Sequence, residues 1–70
     1  MKMLIVVEQT ATGYSAYSPD LEGCIATGTT REEVEAVMRE AVEFHLDALR
    51  ADGTPVPEPH AYATYVEVAA

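Results

Sequence analysis

The seventy-residue sequence predicts an α+β fold of order β-β-β-α-β, with an antiparallel-dominated sheet and one helix packed on one of its faces. Three observations predict it. Short apolar runs separated by turn residues fill the first 28 positions. One long amphipathic segment with clear start and stop signals follows. A proline-rich connector then leads into a short alternating stretch near the end. At this length one domain, spanning residues 1–70, is expected.

Met3 to Val7 is a continuous apolar run ended by Glu8, and its β-branched content favours a strand. Gln9-Thr10-Ala11-Thr12-Gly13 is a polar hairpin loop. Tyr14 to Ser18 is the returning strand, stopped by Pro19. Asp20-Leu21-Glu22-Gly23 reads as a turn, with Gly23 free to take positive φ. Cys24 to Gly28 completes a three-strand meander.

Thr30-Arg31-Glu32-Glu33 fits a capping box, in which the hydroxyl accepts from the N3 amide and the N3 carboxylate reaches back. Glu32, Glu33 and Glu35 lie at the positive end of the helix dipole. The helix is expected to run to about Asp52, with Gly53 ending it and Pro55 beyond. At 100° per residue, Val34, Val37, Met38, Ala41, Val42, Phe44, Leu46, Ala48 and Leu49 form one broad apolar arc. Glu33, Glu40, Glu43, Asp47 and Arg50 face away. Glu35 and Arg39 make a favourable i,i+4 pair, whereas Glu43 and Asp47 repel at the same spacing. The outer face is therefore electronegative, and a cationic partner would relieve it.

Pro55, Pro57 and Pro59 alternate through a stiff, extended connector. Tyr62 to Val68 is the expected fourth strand, with Tyr62, Thr64, Val66 and Val68 on one side and Ala63, Tyr65 and Glu67 on the other. The first strand is apolar on both sides, with Met3, Ile5 and Val7 against Leu4 and Val6. Another copy of the chain is the simplest cover for the second side. Size agrees, because a chain this small buries only about 60% of its unfolded surface, so a homo-oligomer is expected.

The net charge is −8 and the pI about 4.4, with Lys2, Arg31, Arg39 and Arg50 the only fixed cations, scattered along the chain. Direct nucleic-acid binding is not expected of such a surface. A basic partner is its natural complement, although acidity also serves solubility alone. Cys24 is the single cysteine, so no intramolecular disulfide can form and a reducing compartment fits. The apolar N-terminal run is too short for a signal peptide, and no stretch approaches the roughly 18 residues of a membrane span. A cytoplasmic protein without membrane contact is the expectation.

No chemistry stands out. Glu8, Asp20 and Glu22 lack the tight spacing of a metal-ligand set. His45 falls on the apolar arc, where a histidine held by one hydrogen bond in a core or interface is commoner than a base. His60 lies in the connector. Cys24 opens a strand, where cysteine acts as a small hydrophobe; a nucleophile would need a nearby base and a lowered pKa. Neither an enzyme, a metal nor a cofactor is expected.

Tyr17, Pro19-Asp20-Leu21, Gly23-Cys24, Thr27-Gly28, the helix start through Glu33, and Gly53 with Pro55 and Pro57 form an ordered set. In order and spacing it resembles the pattern of HicB-like antitoxins, over about residues 3 to 68. The resemblance implies a partial RNase H-like fold of three strands, a helix and a fourth strand. It implies a protein-binding role without nuclease activity: occlusion of a small basic ribonuclease toxin of the HicA type. Asp20 and Glu22 on the turn, with Glu40, Glu43 and Asp47 on the helix, are the expected attracting surface. Antitoxins of this family usually carry a C-terminal DNA-binding module, and none follows the fourth strand here, so a stand-alone form without operator binding is expected. The alternative reading is a stand-alone oligomeric domain of this family with an unidentified ligand and a regulatory role.

Overall fold

A computed structural model describes residues 1–70. Its elements are β1 (Val6–Gln9), β2 (Tyr14–Ser18), β3 (Leu21–Gly28) and α1 (Arg31–Ala51), with the three strands in the order β1-β2-β3. Both pairings are antiparallel. The meander and the single helix thus form as the sequence predicts.

The β1–β2 hairpin closes through Thr10, whose N–H donates to the Gly13 carbonyl at 2.8 Å while its hydroxyl accepts from the Gly13 N–H at 3.1 Å. The ladder of β1 begins at Val6, opposite Tyr17, rather than at Met3. Farther on, β2 gives way to Pro19 and the turn, so backbone pairing cannot continue. The buried Ser18 hydroxyl takes over and donates to the Leu4 carbonyl at 2.9 Å. A side chain thereby holds the segment before β1 against the sheet without a ladder.

The β2–β3 connection is tighter than the sequence suggests. Only Pro19 and Asp20 form the turn, and Leu21 already pairs with Ser18. The register then shifts between Tyr17 and Ser18, because β3 carries extra residues around Glu22 and Gly23. Gly23 has φ 77°, so it supplies the left-handed residue of this irregularity rather than closing a turn. The displacement lets both Leu21 and Cys24 point into the core.

Helix α1 starts at the N-cap Thr30, whose hydroxyl accepts the Glu33 N–H at 3.0 Å. The return bond is displaced by one residue, since the Glu33 carboxylate accepts the Thr29 N–H at 2.8 Å. At the other end, Thr54 N–H donates to Leu49 O and Gly53 N–H to Arg50 O, with Gly53 at φ 73°. This is a Schellman closure, and it explains the glycine at the helix end.

The helix lies mainly over β3 and β2. Its buried residues are Val34, Met38, Val42 and Leu46, a stripe spaced by four. They meet Ala16, Leu21, Cys24 and Ala26 from the sheet. At roughly 1.5–3 kcal/mol for each large apolar side chain fully buried, this seam is the main source of stability. The stripe is narrower than the predicted arc. Val37, Phe44 and Ala48 are exposed, Phe44 to 77%. A helix touches a sheet along one stripe only, so the flanks of the apolar arc stay outside the contact.

Gly28 marks the corner from β3 into α1. A Cβ there would lie 2.8 Å from the Val34 nitrogen, so the close approach of strand and helix excludes larger residues.

The predicted fourth strand does not form. Residues 54–70 hold no regular structure, and Tyr62, Tyr65, Val66 and Val68 are exposed. Val56 alone among the apolar residues of this segment packs on the core. An alternating stretch becomes a strand only against an edge, and here the chain leads it away from the sheet.

Candidate partner-binding surface

The two faces of the sheet differ. Val7, Ala16 and Ala26 align across the strands on the helix side, and Val6, Tyr17 and Ile25 align on the open side. Ile25 is 71% exposed, so the open face presents an apolar row flanked by Glu8, Ser15 and Thr27. The two-sided apolar character of β1 is thus explained: one side meets the core and the other forms part of this row.

The five acidic residues expected to attract a partner fall in two places. Glu40, Glu43 and Asp47 are exposed along the face of α1 turned away from the sheet. Their helical positions fall within an arc of about 60° at 100° per residue. Asp47 is engaged by Arg50 at 3.2 Å, an exposed i,i+3 pair that leaves Glu40 and Glu43 without a cation of that kind. Asp20 and Glu22 sit at the β2–β3 turn. Glu22 is exposed.

Asp20 has a second task that spacing alone could not reveal. Its carboxylate accepts the N–H groups of His60 at 3.2 Å and Ala61 at 3.3 Å. It therefore fastens the end of the connector, at His60-Ala61, to the turn between β2 and β3. The only signal in the sequence was the pairing of an Asp-containing turn with a proline connector whose donors lack local partners.

Tyr17 lies on the open face, while Gly23, Gly28, Glu33 and Gly53 hold backbone corners and caps as described above. Cys24 is buried, and burial pushes its thiol above the ordinary range. The neutral thiol packs as a small apolar group. His45 is half-buried on the inner flank of α1, and His60 is exposed. No three His, Cys, Asp or Glu side chains converge at metal-ligand spacing. No helix is long and apolar enough to cross a membrane.

The scaffold is a small three-stranded meander under one helix, with an acidic outer helix face. Comparison with known proteins gives the scaffold its family. Residues 3–69 match the family described as the HicB-like antitoxin of bacterial toxin–antitoxin systems, and the chain belongs to it. Among curated proteins, a UPF0150 protein of Helicobacter pylori is 40% identical over 67% of the chain and 65% of its own length. A UPF0150 protein of Synechocystis is 41% identical over 66% of the chain and 58% of its own length. An uncharacterised 14.9 kDa protein of Haemophilus phage HP1 is 29% identical over 89% of the chain. The chain spans only 47% of that phage protein's length. A chain of a HicA3–HicB3 toxin–antitoxin complex superposes with a TM-score of 0.66 at 31% identity, covering 83% of this chain and 72% of that one. The HicB3 antitoxin superposes equally well at 34% identity, covering 79% of this chain and 40% of that one.

Proposed function

We propose that this chain captures and occludes a small basic ribonuclease toxin of the HicA type, acting by binding and not by catalysis. The observation that carries the reading is the outward acidic face of α1, with Glu40, Glu43 and Asp47, on a chain of net charge −8 that belongs to an antitoxin family. Glu22 extends the acidic surface to the β2–β3 turn. Asp20 contributes through the turn it stabilises as well as through its charge. A structural likeness to a chain from a toxin–antitoxin complex supports the same reading.

Electrostatics sets the expected behaviour. Opposite charges accelerate encounter more than they deepen affinity, and salt screens them over about 8–10 Å. With only four scattered cations, the chain itself leaves nucleic acid alone. The direct test is calorimetry against a HicA-type protein encoded beside this one. Binding at low salt that weakens as salt rises supports the proposal. A folded toxin that fails to bind at low salt overturns it, as does ribonuclease activity intrinsic to this chain.

A further inference from the structure

The C-terminal segment and the β1 edge are each incomplete. Tyr62–Val68 alternates like a strand yet stands away from the sheet, with Tyr65 99% exposed and Val66 79% exposed. The sheet has two open edges, β1 and β3. The β3 edge is interrupted by its irregularity at Gly23 and lies under the helix, which makes it a poor template. The β1 edge is different. Because α1 is centred over β3 and β2, an open groove remains beside β1, lined by Ile5, Val7, Glu35, Ala36, Arg39 and Glu40. Its floor is apolar and its rim is charged.

The surface area argues the same way. A compact chain of 7.6 kDa exposes about 4,300 Å². This one exposes 5633 Å². The excess of roughly 1,300 Å² exceeds the approximately 800 Å² per partner of a standard stable interface. The radius of gyration, 13.9 Å, is also larger than the roughly 11 Å of a compact domain this long. The protein is drawn out along one direction, 49 Å against 27 and 17 Å.

We propose that Tyr62–Val68 pairs with the β1 edge of a second copy, and that two copies exchange these strands about a twofold axis. Backbone hydrogen bonds to β1 supply the attachment, and alternate side chains supply the fit. Val66 and Val68 enter the groove over Ile5, Val7 and Ala36, while the opposite side joins the apolar row of the open face. The proline connector, held to the body at Asp20, is stiff enough to carry the strand outward to a neighbour instead of folding it back. Exchange is isologous, so the assembly closes at two.

The experiment is light scattering on the full chain at micromolar concentration, with Val66→Pro as the variant. Proline at that position removes a ladder donor and blocks pairing. Wild type is expected at twice the chain mass. Val66→Pro is expected at the single-chain mass, or with a dissociation midpoint raised at least tenfold, with helical circular dichroism retained. Disulfide trapping separates the two ways of pairing. In a Cys24→Ala background, chains carrying Val7→Cys are mixed with tagged chains carrying Val66→Cys, and a cross-linked tagged pair is expected. A monomeric wild type, mixed single-cysteine chains that fail to cross-link to one another, or a dimer indifferent to Val66→Pro each overturns the proposal. None of these outcomes depends on toxin binding.

Discussion

The carboxylate of Asp20 accepts the backbone N–H of Ala61 on both of its oxygens, at 3.3 Å each, across forty-one positions of sequence. One side chain therefore ties the turn between β2 and β3 to the chain that follows the helix. It fixes where the C-terminal segment leaves the body.

Asp20→Ala should loosen this attachment before it unfolds the domain. The site is half-buried, so a loss of about 1 kcal/mol is expected for its charged hydrogen bonds after solvent screening. Amide exchange at His60 and Ala61, and proteolysis between Thr54 and Ala61, should rise clearly. Asp20→Asn keeps one accepting oxygen and should fall between. Unchanged protection in Asp20→Ala would mean that Asp20 does not hold the connector.

The narrow stripe of α1 makes a sharp contrast between two residues of the same apolar arc. Met38 is fully buried and Phe44 is 77% exposed. Met38→Ala should cost about 2–5 kcal/mol. Phe44→Ala should change stability by less than about 0.5 kcal/mol. Denaturant titration of both variants decides it, and comparable losses would mean that the helix packs on its broader face.

Gly23→Val should destabilise the fold by about 1–3 kcal/mol, because a β-branched residue is forced to φ near 77°. Open space surrounds the position, so the penalty is conformational and not steric. Gly23→Asn, which tolerates left-handed backbone, should recover much of it. Cys24→Ala removes only a small packing contribution, about 1 kcal/mol. Melting temperatures of the three variants rank these effects.

Cys24 also predicts a pH dependence. Burial raises its folded-state pKa, so the thiol ionises more readily in the unfolded chain than in the folded one. This contribution is fully present below the unfolded thiol value, about 8.5, and is lost as pH rises from there through the higher folded value. Wild type should therefore lose stability above about pH 8.5 faster than Cys24→Ala does, and a thiol reagent should react slowly until the protein unfolds. Parallel pH profiles for the two proteins would count against a desolvated thiol.

Charge reversal probes the acidic helix face. Glu43→Lys with Asp47→Lys should slow association with a HicA-type toxin several-fold at low salt, with little change in melting temperature, since both side chains are exposed. Stopped-flow association measured across a salt series provides the check. An unchanged rate would move the contact surface elsewhere, with the open-face row of Val6, Tyr17 and Ile25 next in line.

The elements that depend on local physics were legible in the sequence. The cap at Thr30, the stop at Gly53, the hairpin at Thr10–Gly13 and the number and order of the first three strands follow from residue-by-residue preferences, whereas the bounds of β1 and β3 were set by pairing. The acidic outer face of α1 was equally legible, since helical spacing fixes which side chains share a side. Tertiary structure decided what depends on a surface not adjacent in sequence. It selected Val34, Met38, Val42 and Leu46 from a wider apolar arc, because the sheet covers only one stripe of the helix. It moved Gly23 from the turn into β3 and turned Asp20 inward to the connector. It left Tyr62–Val68 unpaired, because alternation prepares a strand, but only an available edge with free donors and acceptors completes one.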